Sequence, residues 1–418
     1  MPDIRAPRGM HDLLPQQAAL WRHVRDTAER VAGLFGYGLV GTPIVEDASV
    51  FLRTVGDESD IVSKEMYVFE DRGGDRLALR PEGTAAVCRA YIEHGMSSLP
   101  QPVRLYYFGP MFRYDRPQAG RYRQLWQFGV ECIGDASPAA DVEVIDLQRT
   151  LYEQLGLGEL TLRVNSIGTA ATRHRYIEAL TEHLSPHVAT LSRDSQRRFE
   201  TNVLRVLDSK EDAGHPAVEG APNILDYLDE GDRRHFDEIK ALLEGLGIRY
   251  EVDSRIVRGL DYYARTVWEF EPAGAGGQST VGAGGRYDGL IELLGGPPTP
   301  GTGMATGIER IMLNLGATPD LETARRPSVY IAPLGENLQA ALAAAREVRL
   351  GGATVRMGQS GRSLRAHFRA AESFGSSHIG IVGNNEAARG VIQLKPLIAD
   401  GDQIELRPSD VPEFLGAP

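Results

Sequence analysis

Residues 108–134 read FGPMFRYDRPQAGRYRQLWQFGVECIG. The stretch starts as an apolar strand, puts Arg113 in its middle, and breaks into the polar loop Asp115–Tyr122. It returns as a second strand in which Leu125, Gln127, Gly129 and Glu131 alternate with Trp126, Phe128 and Val130. Two strands flanking a basic loop predict a long β-hairpin. Arg113, Arg116, Arg121 and Arg123 crowd the break. Arginine grips phosphate oxygens through its planar fork, so four in so short a span suit a polyphosphate or an RNA backbone. Glu131 stands among Phe128, Val130 and Ile133, and an acid in such surroundings needs a partner if it is buried.

The chain has 418 residues, 42% of them hydrophobic, enough to bury a large core and to form two or three domains. It contains no apolar run of membrane-spanning length and no cationic-then-apolar leader, so a cytoplasmic protein without a membrane partner is expected. Cys88 and Cys132 cannot make a disulfide framework or a cysteine-rich metal site. A formal charge of −12 argues against a general nucleic-acid coat protein. RNA binding would have to rest on local basic patches.

Upstream of the hairpin, residues 17–35 place Leu20, Trp21, Val24, Ala28, Val31, Leu34 and Phe35 on one helical face, stopped by Gly36. The next twelve residues, GYGLVGTPIVED, read as a strand whose Pro43 suits a sheet edge or an interface. Residues 66–84, MYVFEDRGGDRLALRPEGT, read as a hairpin turning at Asp71–Asp75. Its second strand delivers Arg80, Glu82 and Thr84 to its end, where ligands are commonly read. Residues 85–94 look helical.

From Thr169 to Leu246 the strands give way to charged, helix-favouring runs, which predict a mostly helical inserted module. His183 and His187 have ligand-like spacing, but Pro186 breaks the helix that would align them, so no metal site is expected. Strands return at Tyr250–Val252 and Val257–Phe270, the latter carrying Arg258 and Asp261. Residues 282–289, GAGGRYDG, read as a tight turn. Residues 301–315, GTGMATGIERIMLNL, read as a glycine-rich strand passing into a helix. Arg310 lies about a turn into that helix, where a cation is unfavourable for the helix dipole and hints at a task. Neither a dinucleotide fingerprint nor a GxxxxGK[ST] phosphate loop occurs in the chain.

Beyond Arg325-Arg326-Pro327 the rhythm changes. Strand Val329–Ala332, helix Asn337–Leu350, strand Thr354–Met357, helix Ser363–Phe374 and strand Ile379–Val382 form a βαβαβ unit. Strands Val391–Leu394 and Gln403–Leu406 complete it. Arg346, Arg349, Arg356, Arg362, Arg365 and Arg369 suit an RNA-facing side.

Together these stretches resemble the class II aminoacyl-tRNA synthetases and, within them, the histidyl-tRNA synthetases. GTPIVE is similar to the first class motif, the FRYD…RYRQLWQFGVE hairpin to the second, and GTGMATGIER to the third. RGLDYY and GGRYDG are similar to signatures of the histidine enzymes, and the resemblance runs essentially end to end. It implies an α+β catalytic domain with an antiparallel sheet at 1–325, a helical insertion within it at 169–247, and a C-terminal α/β anticodon-binding domain at 326–418. It also implies a homodimer that takes L-histidine, ATP with Mg²⁺ and histidine tRNA, with no tightly bound cofactor and no proofreading domain.

The same resemblance implies residue roles. Arg113 grips the α-phosphate, Arg258 supplies a second positive charge there, and Arg310 holds the γ-phosphate and covers the adenine. Arg121 is a further ATP contact and Leu125 lies on the adenine face. Glu131 and Tyr263 hydrogen-bond the two imidazole nitrogens, while Glu82, Gly83, Thr84 and Gln127 form the segment that holds the α-amino group. Tyr262 and Tyr287 line the same pocket, which Arg113 and Arg258 border. Arg116 and Gln118 touch the tRNA acceptor end. Leu125 stands where the family usually has phenylalanine, Asp115 where glutamate is usual, and Pro396 where an acid is common. The rival readings are a synthetase-like regulatory paralogue, such as the activator of ATP-phosphoribosyltransferase, and an RNA-binding scaffold without chemistry.

Overall fold

The computed structural model describes residues 4–55, 65–115, 120–209, 211–256, 262–272, 280–316, 328–398 and 401–416. Arg116, Gln118, Arg258 and Asp261 lie outside the described residues. The chain divides into two compact units, Met1–Thr318 and Pro319–Pro418.

The first unit is built on strands β1 (Gly38–Leu39), β2 (Val45–Asp47), β3 (Tyr67–Glu70), β4 (Arg76–Leu79), β5 (Val103–Phe112), β6 (Gln124–Ile133), β7 (Leu160–Ser166), β8 (Glu251–Val252), β9 (Ala264–Pro272), β10 (Gly282–Arg286) and β11 (Gly301–Gly307). Eight of them form one sheet in the order β1-β5-β6-β11-β10-β9-β7-β8. Its outermost pairs, β1 with β5 and β7 with β8, are parallel. The six strands between are antiparallel throughout. The α+β reading with an antiparallel sheet therefore holds.

The β5–β6 hairpin runs in register from Val103↔Ile133 to Phe112↔Gln124. Arg113 follows the last strand residue instead of lying mid-strand, and its N–H donates to the Arg123 carbonyl at 2.9 Å, closing the mouth of the hairpin. Alternation gives β6 two different faces. Phe128 and Val130 join a core with Val24, Ala28 and Val31 of the helix Pro15–Leu34. Trp21 of that helix stands edge-on to Trp126 and Phe108 at 5.1 and 5.3 Å. The opposite face of β6 carries Leu125, Gln127, Gly129 and Glu131.

Two readings of the sequence are corrected here. The stretch from Gly36 to Asp47 is not one strand: Gly38–Leu39 pairs with β5, whereas Val45–Asp47 joins β3 and β4 in a separate three-stranded sheet. Pro43 falls between them, where its missing N–H breaks no ladder. GAGGRYDG is not a tight turn, because its first five residues are strand β10, buried throughout. The glycines serve close approach: a Cβ on Gly284 would sit 2.2 Å from the Trp268 ring and 2.5 Å from the Gly303 carbonyl oxygen.

Between β7 and β8 the chain is helical, with Ala170–Leu184, Arg193–Thr201 and Glu230–Gly245 as its longer segments. Tyr176, Leu180 and Leu184 are buried at helical spacing. In the second unit, β12 (Ser328–Pro333), β13 (Thr354–Met357), β14 (His378–Val382), β15 (Ile392–Pro396) and β16 (Ile404–Leu406) lie in the order β13-β12-β14-β15-β16. β12 is parallel to β13 and β14, and the last two strands are antiparallel. A short helix, Asn384–Arg389, was not anticipated. Six residues carry too little periodicity to register, although Glu386 caps it by accepting from Gly383 N–H at 2.9 Å. Among the described residues no helix is long and apolar enough to cross a membrane, and no group of His, Cys, Asp and Glu could hold a metal ion.

Candidate active site

The polar face of β6 forms the floor of a pocket. Glu131 is fully buried and accepts hydrogen bonds from Thr84 Oγ1 at 2.7 Å and Tyr287 Oη at 2.6 Å. Burial pushes its carboxyl up to about 8, with nearby Glu82 adding to the rise and the two hydroxyls opposing it. The register of β11 sets Gly303 opposite Glu131. A Cβ on Gly303 would come 2.0 Å from Glu131 Oε2, so the bare backbone makes room for the carboxylate.

Glu82 closes the near end. Its carboxylate accepts from the backbone N–H of Thr84 at 2.6 Å and of Ala85 at 2.9 Å, satisfying donors at the start of the helix Thr84–Glu93. Burial raises its proton affinity, while these bonds and the Arg113 charge lower it. Gln127 is buried, and its Oε1 has no hydrogen-bond partner among the described residues. Gly83 backs onto the Tyr107 ring, where a Cβ would sit 2.4 Å from it. Tyr262, Tyr263 and Tyr287 supply an aromatic wall, with ring centroids 4.8 Å apart between Tyr262 and Tyr263 and 6.1 Å between Tyr262 and Tyr287. Tyr263 fits against Gly285, where a Cβ would lie 2.6 Å from its ring. Leu125 is half-buried and packs against the same cluster.

The far end is cationic. Arg113 donates through Nε to the Pro81 carbonyl at 2.8 Å, which holds one edge of the guanidinium. Arg121 lies 3.5 Å from Asp115 Oδ2. Arg310 is the third residue of the helix Ile308–Leu315, and its Nη1 donates to the Thr280 carbonyl. Burial lowers its proton affinity, and the charges of Arg121 and Arg113 lower it further. Arg310 thus lies within the field of two further guanidiniums, and a cluster of positive charge of this kind suits an anion. Beside Arg310, Glu309 accepts from Trp126 N–H at 3.0 Å. The β6–β11 ladder ends at Gly307↔Gln127, so this carboxylate continues it by one rung.

The structure thus brings Glu82, Gly83, Thr84, Gln127, Glu131, Tyr262, Tyr263 and Tyr287 to one pocket and gathers Arg113, Arg121 and Arg310 as a cationic group. Arg80 does not join them. It is buried and spent on backbone, donating to the Pro110 carbonyl at 2.9 Å and the Thr42 carbonyl at 2.8 Å. Two features escaped the sequence reading. Tyr107 lies inside the pocket, hidden among the aromatic residues of β5. Arg286 and Asp141 form a fully buried pair at 2.7 Å, with His235 and Thr266 on the same carboxylate at 2.9 and 2.7 Å. A charged residue inside the glycine strand GAGGR was the available signal for that pair.

Chemically, the arrangement joins a polar pocket, with buried carboxylates and hydroxyls for a small cationic compound, to a guanidinium group for a polyphosphate. A family model described as histidyl-tRNA synthetase matches residues 9–311, and one described as an anticodon binding domain matches residues 328–417. The chain is 47% identical over 395 residues to the histidine–tRNA ligase of Dehalococcoides mccartyi, covering 94% of each chain. A crystal structure of apo histidyl-tRNA synthetase from S. aureus, 34% identical, superposes with a TM-score of 0.80 and covers 99% of this chain and 100% of that one. A Bacillus halodurans protein described as an ATP phosphoribosyltransferase regulatory subunit/histidyl-tRNA synthetase is similar in fold alone, at 23% identity, a TM-score of 0.66, and coverage of 90% and 97%.

Proposed function

The chain belongs to the histidyl-tRNA synthetase family and is a class II histidine–tRNA ligase, and we propose that it activates L-histidine in the pocket floored by Glu131. ATP is consumed in the reaction, and Mg²⁺ accompanies it as part of the substrate complex. The histidine carboxylate attacks the α-phosphorus, histidyl-adenylate forms and pyrophosphate leaves. The 3′ end of histidine tRNA then takes the histidyl group, with AMP leaving.

Negative charge grows on the phosphoryl oxygens during the first step, and preorganised cations stabilise it. Arg113, at the hairpin mouth and electrostatically coupled to Glu82, is assigned to the α-phosphate where the two substrates meet. Arg310 takes the γ-phosphate and covers the adenine, Arg121 adds an ATP contact, and Leu125 offers an apolar, non-aromatic face. Arg258 is assigned the second charge on the α-phosphate, and Arg116 and Gln118 the tRNA acceptor end, on the resemblance of their motifs. Glu131 and Tyr263 read the imidazole nitrogens, Glu82, Thr84 and Gln127 hold the ammonium, and Tyr262 and Tyr287 enclose the ring. A pocket of this kind rejects amino acids without ring donors by leaving its own polar groups unpaired.

The observation that carries this reading is Glu131: a fully buried carboxyl group that, among the described residues, accepts from two hydroxyls, on a strand whose hairpin mouth carries the cationic cluster. The domain bounds proposed are 1–325 for catalysis, with the insertion at 169–247, and 326–418 for the anticodon. A homodimer in the cytoplasm is proposed as the working form, with the exposed Leu39, Ile44 and Val45 at the first class motif as its interface. Charging of histidine tRNA with labelled histidine tests the whole reading, and sedimentation tests the dimer. An inactive but folded protein would favour the regulatory paralogue.

A further inference from the structure

Tyr107 lies between the two ends of the pocket. The β5–β6 register sets it opposite Gly129, between the Gln127 and Glu131 positions of the same face. Its ring fills a slot made by missing side chains: a Cβ on Gly129 would lie 2.3 Å from its Cζ and Oη, and one on Gly83 2.4 Å from its Cζ. The residue is 5% exposed, and its hydroxyl has no hydrogen-bond partner among the described residues. Thr84 acts on the phenol as a side-chain hydrogen-bond neighbour, but gives its own proton to Glu131 at 2.7 Å. Glu82 and Glu131 also face the phenol. Gln127 Oε1, on the same sheet face, is another buried polar atom without a partner among the described residues.

An unpartnered buried hydroxyl is destabilising, and phenylalanine would fill the slot without that cost. Such a group is open to a ligand that arrives beside it. An ammonium brings three donors; the Glu82 carboxylate acts on the Tyr107 phenol, and Gln127 and Tyr107 share one sheet face by register, so Tyr107 Oη adds an acceptor to the Glu82, Thr84 and Gln127 set assigned to the ammonium. We propose that the Tyr107 hydroxyl is a specificity-determining contact, accepting a hydrogen bond from the α-ammonium of the bound amino acid. This rests on the histidine-ligase reading of the same pocket.

The test is Tyr107→Phe in the full-length protein. The free variant is expected to melt at the same temperature as the wild type or higher, because an unsatisfied polar group has gone. In histidine-dependent ATP–pyrophosphate exchange its KM for histidine is expected to rise about tenfold, as for loss of one hydrogen bond to a charged group, with KM for ATP unchanged. 3-(4-Imidazolyl)propionate, which keeps the ring and lacks the ammonium, should inhibit both proteins equally. An unchanged histidine KM, or an equal weakening of histidine and the deaminated analogue, would overturn the proposal. So would a lowered melting temperature with both KM values raised. Wild-type exchange with histidine, run alongside, separates these failures from failure of the ligase reading itself.

Discussion

The Tyr287 hydroxyl donates to Glu131 at 2.6 Å across a neighbouring strand: its ring lies over Gly301, and the carboxylate it meets lies over Gly303. Tyr287 follows β10, Glu131 lies on β6, and β11 runs between them. Three strands thus cooperate in one hydrogen bond, and Gly303 is as much part of the pocket as the two polar residues.

Gly303→Ala is expected to damage histidine binding selectively. Its Cβ would stand 2.0 Å from Glu131 Oε2 and 2.6 Å from the Val130 carbonyl oxygen, so the carboxylate must move. The KM for histidine should rise by about tenfold or more, the scale of losing one or two hydrogen bonds to a charged group, while ATP binding is retained. Isothermal titration with each substrate separately checks this.

The stability of the free protein should fall as pH rises toward 9. Glu131 holds its proton up to about 8 in the folded state, against about 4.3 for an unfolded glutamate. The folded state therefore binds more protons across that window, and this contribution is complete below the unfolded value and lost as pH passes through the folded one. Glu309, raised to about 7 by burial, acts in the same direction. Glu131→Gln should flatten part of the melting-temperature slope between pH 5 and 9 and leave the Glu309 part in place. An identical slope in the variant would refute the assignment.

Much of this site was legible in the sequence, and the reasons are physical. The β5–β6 hairpin announced itself because alternation is imposed by a strand with two different faces, and Glu131 because an acid there has to be explained. The helix carrying Arg310 was read as the continuation of a glycine-rich strand, and strand Gly301–Gly307 does pass into helix Ile308–Leu315. Glycine was the main source of error: GAGGRYDG looked like a turn, whereas β10 uses its glycines to let Trp268 and Tyr263 approach the backbone. Tyr107 and the Asp141–Arg286 pair were invisible for a different reason. Their partners lie on other elements, 22 or more residues away, and no local pattern records such meetings.

Arg310→Ala should slow adenylate formation by about 10²–10³, the scale for one preorganised charge at a developing anion. Arg310→Lys should recover part of this, because a point charge replaces a fork. Single-turnover kinetics with saturating histidine and ATP give the comparison, and a normal rate in the alanine variant would remove Arg310 from its role.

Asp141→Ala should destabilise the first unit by about 3–5 kcal/mol, because it removes the fully buried counter-charge of the Arg286 guanidinium and leaves the partly exposed Asp288, at 3.0 Å, to balance it. His235, on the helix Glu230–Gly245, loses its partner at the same time. Denaturant unfolding measures the effect, and a loss below about 1 kcal/mol, the worth of an exposed pair, would contradict it.

The measurement that tests the central claim most directly is amino-acid-dependent ATP–pyrophosphate exchange by the purified protein, with each of the twenty amino acids in turn. Exchange with histidine alone is the predicted result. Exchange with a different amino acid would keep the class and overturn Glu131 and Tyr263 as readers of the imidazole. No exchange in a folded protein would contradict the catalytic reading and leave the regulatory one in its place.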